Sequence, residues 1–387
     1  MKTRKFAGII ALALATLTPG WSAQSRAGAP EPEESRLKSL VTRLASPEFE
    51  GRQGQGGEKA ADYLVTQFRK LGAGPLFKDS FLQPIPAREP GKVQGRNVGA
   101  MVPGASPTLK DEWVIVSAHY DHLGVRRGTL YPGADDNASG VAMMLEVARC
   151  LADGTEKPQR SVMFLGFDLE EVGLFGSRYF VEHSPVPLDH VALFITADMI
   201  GRSLGGVCDR YVFVMGSEHV PAVRPWIEEA ASRHPRLKAG LLGSDLLLLN
   251  RSDYGPFRAR KVPYLFFSTG ENPCYHTPQD VPETIDYPKL ESISRVICDV
   301  ARRATGDVAV PRWSSSPDNP LAEAVTIRDA MKSLYDNRET LQIGPTQVVL
   351  MSNTLRTLNA IIDRGAITAS ERAGVVSVAR IILASVL

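Results

Sequence analysis

Cysteine is scarce in this chain. Its 387 residues hold four, Cys150, Cys208, Cys274 and Cys298, with no C-x-x-C pair among them, which argues against a thiolate metal site. Four cysteines allow three disulfide pairings, and spacing selects none of them. Cys150 and Cys298 fall in helical patterns and are expected as buried thiols. Clustered positive charge is also missing. The 44 lysines and arginines balance 43 acidic residues to a net charge of +1. They are scattered along the chain, leaving no footprint for nucleic acid. There is no low-complexity tract and no internal repeat. Beyond the N-terminus no run is apolar enough to cross a bilayer, so no stable membrane anchor is expected.

What is present begins with a leader. Lys2, Arg4 and Lys5 precede an uncharged run over residues 6–17, and small residues follow at 22–27. These are the three parts of a secretory signal peptide, assigned to residues 1–27, and they predict an exported protein, periplasmic or extracellular.

After a polar, Pro/Glu-containing stretch, apolar periodicity predicts helices over 35–45 and 58–71. In the second, Ala61, Leu64, Val65, Phe68 and Leu71 form one stripe that Gly72 can cap. Short apolar runs at 113–118, 162–167, 191–197, 211–215 and 264–267 read as buried strands. Helical patterns at 138–151, 174–181, 222–232 and 288–302 alternate with them. The fold class is therefore α/β, a three-layer sandwich with a mixed, largely parallel central sheet flanked by helices. The catalytic domain is assigned to 28–309. A Pro/Ser-rich linker at 310–320 leads to a helical C-terminal extension, 321–387, in which no catalytic constellation is visible.

Five chain segments bring acidic or histidine residues to one architectural place. His119 ends the strand at 113–118. Asp136 lies in the run Gly133-Ala134-Asp135-Asp136-Asn137-Ala138-Ser139-Gly140, where the next helix begins. Glu170 and Glu171 follow the strand at 162–167, Asp198 follows 191–197, and His276 lies beyond 264–267. In an open α/β sheet the carboxyl ends of the strands form the ligand crevice. A single histidine or Glu-Glu pair would ordinarily be a solvated or hydrogen-bonded group; the coincidence is what points to a site. Nitrogen and oxygen donors without thiolate suit catalytic zinc. Three carboxylates and two imidazoles fill two adjacent metal sites if one carboxylate bridges. Asp121 is placed to accept the spare ring N–H of His119 and fix its tautomer. His122, one residue further on, is expected to point elsewhere. It is grouped with His183, His190, His219 and His234 as an ordinary surface or core histidine.

The runs Val114-Ile115-Val116-Ser117-Ala118-His119-Tyr120-Asp121-His122-Leu123-Gly124, 133–140, Glu170-Glu171-Val172-Gly173-Leu174-Phe175-Gly176-Ser177, Asp198-Met199 and Tyr275-His276-Thr277-Pro278-Gln279-Asp280 resemble, in this order, the motifs of the dizinc exopeptidases. That family includes secreted bacterial leucyl aminopeptidases and glutamate carboxypeptidase-like enzymes, and the resemblance covers roughly residues 35 to 305. The run Leu44-Ala45-Ser46-Pro47-Glu48-Phe49-Glu50-Gly51-Arg52 also resembles the lead-in of bacterial members.

The resemblance implies two zinc ions per chain. Asp136 bridges them, His119 and Asp198 complete one site, and Glu171 with His276 completes the other. It further implies that Glu170 is the general base, and that the Asp136–Asn137 peptide is cis. Tyr275 is the oxyanion donor, because the chain has leucines over 246–249 where some relatives carry that tyrosine. Met199 is expected to line the specificity pocket. The reaction implied is hydrolysis of the N-terminal residue of a peptide substrate. Alternatives on the same fold are a carboxypeptidase or a glutaminyl cyclase-like enzyme. The former would need a basic cluster to grip a terminal carboxylate, and the latter would use one zinc. A non-catalytic binding module would have lost ligands, and none is missing here.

Overall fold

The computed structural model describes residues 29–246, 250–306, 309, 311–318 and 320–386. The expected leader lies outside the described residues. The chain opens with α1 (Glu34–Leu44) and α2 (Gln55–Lys70), then β1 (Gly74–Pro75), β2 (Leu82–Pro86), β3 (Val93–Val102) and β4 (Trp113–His119). A small hairpin, β5 (Val125–Arg126) and β6 (Thr129–Leu130), precedes α3 (Gly140–Ala152), β7 (Ser161–Phe167), α4 (Phe175–Glu182) and β8 (Val191–Ala197). There follow β9 (Tyr211–Met215), α5 (Arg224–Ser232), β10 (Lys238–Leu242), α6 (Tyr254–Ala259), β11 (Tyr264–Ser268) and α7 (Tyr287–Thr305). The last elements are α8 (Pro320–Asp336), α9 (Pro345–Arg364) and α10 (Ala369–Val386).

The main sheet runs β1-β3-β7-β4-β8-β11-β9-β10, with β2 paired to β3. Its centre, β7-β4-β8-β11, is parallel; β3 joins one side antiparallel, and β9 joins the other. The α/β sandwich expected from the alternating pattern is the fold observed. Every residue of β7, β8 and β11 is buried, as befits strands covered on both faces, and this is why their sequences are continuous apolar runs rather than alternating ones.

The two faces build two cores. Along β4, Val114 and Val116 pack into one, with α1, α2, α3 and α7, while Ile115 packs into the other, as the twofold period of a strand requires. In α7, Leu290, Ile293, Val296, Ile297, Val300 and Ala304 recur three to four residues apart and are buried. Its start is capped by the Asp286 carboxylate, which accepts from Lys289 N at 3.1 Å. The C-terminal helices are continuous with the second core: Ile327, Met331, Leu334, Met351, Leu358 and Ile382 are buried in it beside Phe213, Met215 and Leu242. Cys150 and Cys298 are buried as expected, and all four cysteines are free thiols. Among the described residues no helix is long and apolar enough to cross a membrane.

Candidate metal centre

Parallel strands that end in register deliver their next residues to one edge. His119 pairs with Phe167 across β4 and β7, and Asp198 N donates to Phe267 O of β11 at 3.0 Å. The loops that carry His119, Glu170, Glu171, Asp198 and His276 therefore open at one mouth.

Asp136 arrives from the irregular turn between the β5–β6 hairpin and α3. Its peptide bond to Asn137 is cis. The turn is held by side chains that the sequence reading did not assign. Asp280 accepts from Asp135 N at 2.9 Å and Asp136 N at 3.0 Å. Asn137 donates to Ala197 O and accepts from Gly140 N, both at 2.9 Å. Gly133 turns with φ +59, and a Cβ there would meet Asp136 O at 2.2 Å; one on Gly140 would meet Ala197 O at 2.6 Å. Both positions require glycine because backbone and side chains close in on them.

The five expected ligands meet. His119 Nε2 lies 3.4 Å from Asp136 Oδ1 and 3.3 Å from Asp198 Oδ1. His276 Nε2 lies 3.2 Å from Asp136 Oδ2 and 3.1 Å from Glu171 Oε2. The two oxygens of Asp136 thus face different imidazoles, each of which faces a second carboxylate. Donors about 3 Å apart on such a set match the edges of a coordination shell with metal–ligand bonds of about 2 Å.

The electrostatics call for a cation. Burial opposes charge on His119, but Asp198 and Glu170 outweigh it and hold the ring well above the ordinary histidine value. His276, likewise opposed by burial, is raised to about 10 by its hydrogen bonds to Asp136 and Glu171. Burial pushes Glu170 well above the ordinary carboxylate range, only partly offset by His119. Carboxylates outnumber imidazoles, and the donor set fits divalent zinc.

Asp121 reaches His119 differently from expectation. His119 Nδ1 is 3.2 Å from the Asp121 carbonyl oxygen and 3.6 Å from its carboxylate. That carboxylate instead accepts from Glu170 N at 3.1 Å and Glu171 N at 3.2 Å, orienting the adjacent glutamates. Tyr275 stacks on His276 with ring centroids 3.8 Å apart. It lines the cavity that opens from the cluster, as does Met199. Residues 247–249 of the leucine-rich loop lie outside the described residues.

His122 corrects the sequence reading. It does not point elsewhere: fully buried, its Nδ1 is 2.8 Å from Glu171 Oε1 and 3.7 Å from Asp136 Oδ2. Ligand atoms of His122, Asp136 and Glu171 all lie within 4.8 Å of one another. The strand ends at His119, and the chain then turns through Gly124 at φ +75. Strand alternation no longer sets where a side chain points there. Burial lowers His122 to about 4, so it is a neutral imidazole at neutral pH.

Arg52 was missed as well. Its guanidinium, completely buried, donates to the carbonyl oxygens of Tyr120 and Pro132 at 2.7 Å, Leu44 at 3.0 Å, Gly133 at 2.7 Å and Asp136 at 3.2 Å. The signal available was the Gly51-Arg52 pair in the lead-in run.

Fold and site define an α/β chain with a carboxylate and imidazole cluster suited to a divalent metal. The family follows from comparison: the chain belongs to peptidase family M28, whose model matches residues 97–301. Aminopeptidase YwaD of Bacillus subtilis is 30% identical over 194 residues, covering 48% of this chain and 39% of that protein. The chain spans about two fifths of the length of the curated relatives it matches. Among solved structures it resembles LapB from Legionella pneumophila, with a TM-score of 0.58 at 20% identity over 72% of this chain and 74% of that one. It also resembles a Zn-dependent exopeptidase from Parabacteroides distasonis, with a TM-score of 0.56 at 20% identity over 70% and 99% of the two chains. At 19% identity, glutaminyl cyclase from Porphyromonas gingivalis shares the fold with a TM-score of 0.56 over 70% and 98%. These likenesses speak to the fold.

Proposed function

We propose that the chain is an aminopeptidase that holds two zinc ions and removes the N-terminal residue of peptides. The observation that carries the reading is the position of Asp136, whose two oxygens face His119 and His276 separately. In this assignment Asp136 is the shared ligand, His119 and Asp198 serve one ion, and Glu171 and His276 serve the other. Bound zinc supplies Lewis acidity and lowers the pKa of a coordinated water.

The chain's own groups do the rest. Glu170, raised by burial, takes the proton of the attacking water and returns it to the leaving amine. The Tyr275 hydroxyl donates to the oxygen of the scissile carbonyl as negative charge develops there. Asp121 holds Glu170 and Glu171 by their main-chain N–H groups, and His122 fixes Glu171.

Charge favours an aminopeptidase over a carboxypeptidase. The polar end of the cavity is formed by Asp136, Glu170, Glu171 and Asp198; with the other three holding metal, Glu170 is the carboxylate left to face a substrate amine. The cations among its described lining residues are Arg251 and Arg380. Arg251 is paired with Glu271 at 2.6 Å, and Arg380 donates to the carbonyl oxygens of Asp245 and Leu246. Both are engaged by groups of the protein itself. The binding-module alternative is opposed by the complete ligand set with a proton acceptor beside it.

The test is a panel of aminoacyl reporter amides, free and N-acetylated, assayed with chelator and after zinc is restored. Cleavage of free-amine substrates alone, abolished by chelation and recovered with two zinc ions per chain, is expected. Full activity in protein stripped of metal would sink the reading. We further propose export. Mass spectrometry of the exported protein should place the mature N-terminus between about residues 24 and 28, by the small-residue rule; an intact N-terminus would refute it.

A further inference from the structure

The cavity that begins at the carboxylates does not end in the catalytic domain. It has a volume of about 360 Å³ and runs past Met199, Phe213 and Met215 to a far wall made by the C-terminal helices. Ile327, Ala330, Met331 and Leu334 of α8 and Ala379 and Ile382 of α10 line that wall. Most of these side chains are buried, Met331 to 3% exposure and Ile382 to 1%. Protein interiors are packed nearly as densely as crystals, with few voids larger than a water. An engineered apolar cavity of about 150 Å³ is already enough to take a benzene. A cavity of this size, starting at the metal-site carboxylates and lined along α8 and α10 mainly by apolar side chains with Thr326 and Arg380 among them, has the form of a binding pocket rather than a packing defect.

The wall is fixed in place. Glu323 of α8, 1% exposed, accepts from Gly243 N at 2.8 Å and from Arg372 Nη2 of α10 at 2.8 Å. Arg372 also holds Asp245 at 2.7 and 2.9 Å. One network therefore ties both helices to the loop after β10; Leu242, at the end of that strand, and Leu246, in the loop, also face the cavity.

We propose that α8 and α10 complete the substrate pocket, so that the C-terminal extension selects N-terminal residues with side chains larger than leucine, aromatic ones above all. This rests on the aminopeptidase reading: the substrate ammonium sits among the carboxylates and its side chain fills the apolar depth. The volume exceeds what a leucyl side chain fills, and the wall is mainly apolar, with the Arg380 guanidinium already donating to the carbonyl oxygens of Asp245 and Leu246.

The experiment compares kcat/KM for alanyl, leucyl, phenylalanyl, tryptophanyl and 4-phenyl-phenylalanyl amides on the full chain, on Ala330→Phe, which fills the pocket from α8, and on Met331→Ala, which deepens it. Hydrophobic pockets discriminate by about 10 to 200-fold per misfitted methylene. The tryptophanyl-to-alanyl ratio should fall by about tenfold or more in Ala330→Phe. Met331→Ala should move preference toward the 4-phenyl-phenylalanyl amide. Protection against thermal unfolding by L-tryptophanol should weaken in Ala330→Phe, a readout independent of turnover. Loss of fold alone would lower all substrates together and leave the ratios unmoved. Ratios within about twofold of the parent in both variants, with the unfolding transition of each variant retained, would overturn the role of the extension while leaving the aminopeptidase intact. Failure of the parent to cleave any free-amine amide would overturn the underlying reading, and this inference with it.

Discussion

Arg52 donates from Nη2 to the carbonyl oxygen of Asp136 at 3.2 Å, from a side chain with no exposure at all. A buried guanidinium whose hydrogen bonds all go to main-chain oxygens is a clamp on backbone, and here it gathers the segments before β5 and α3. Removing it leaves several buried carbonyls unpaired, each costing about 1–3 kcal/mol. Arg52→Met should therefore lose about 3 kcal/mol or more of stability in urea unfolding. Arg52→Lys, with three donors in place of a fork, should recover only part of it. An unchanged midpoint in both variants would contradict this account.

Glu170 and Glu171 are neighbours with different duties in the proposed mechanism. Glu170→Gln should keep its zinc, measured by plasma emission, while kcat drops by about 10² or more. Glu171→Gln should lose metal from one site. The reverse pattern would exchange the two assignments.

His122, hydrogen-bonded to Glu171 at 2.8 Å, should act on metal binding through that carboxylate. His122→Ala is expected to weaken zinc affinity by about 10 to 100-fold, as loss of an orienting partner does, measured by competition with a chromophoric chelator. A drop in stoichiometry to one ion at saturating zinc would instead make His122 a ligand.

Lys289 gives a pH dependence outside the metal centre. It is buried at 6% exposure, donating to Arg202 O at 2.8 Å and Ser203 Oγ at 2.9 Å. Burial lowers it to about 8 from 10.5. A cation whose folded pKa is depressed penalises the folded state fully below that pKa, and the penalty fades as pH rises toward the unfolded value. Wild-type stability relative to Lys289→Met should therefore increase between pH 8 and 10.5. Equal pH slopes for the two proteins in that window would disprove it.

Much of this molecule is legible in its sequence. Continuous apolar runs such as Val162 to Phe167 and Val191 to Ala197, too short for buried helices and bounded by polar or turn residues, read as strands covered on both faces, and their order with the intervening helices points to an α/β sandwich. The strand-end rule then places His119, Glu171 and Asp198 at one mouth before any coordinate is known. β3, interrupted by Gly95 and Gly99, and the edge strand β10 carry weaker patterns and escaped notice. The direction of His122 was not readable, because beyond a strand end no period links sequence position to side-chain direction. Arg52 was not readable as a clamp, because carbonyl oxygens belong to every residue and leave no mark in the sequence. The contribution of α8 and α10 to the cavity was likewise settled by packing alone. An apolar helix stripe records that it will be buried, but the partner it covers, and whether a void remains between them, depends on how the whole chain closes.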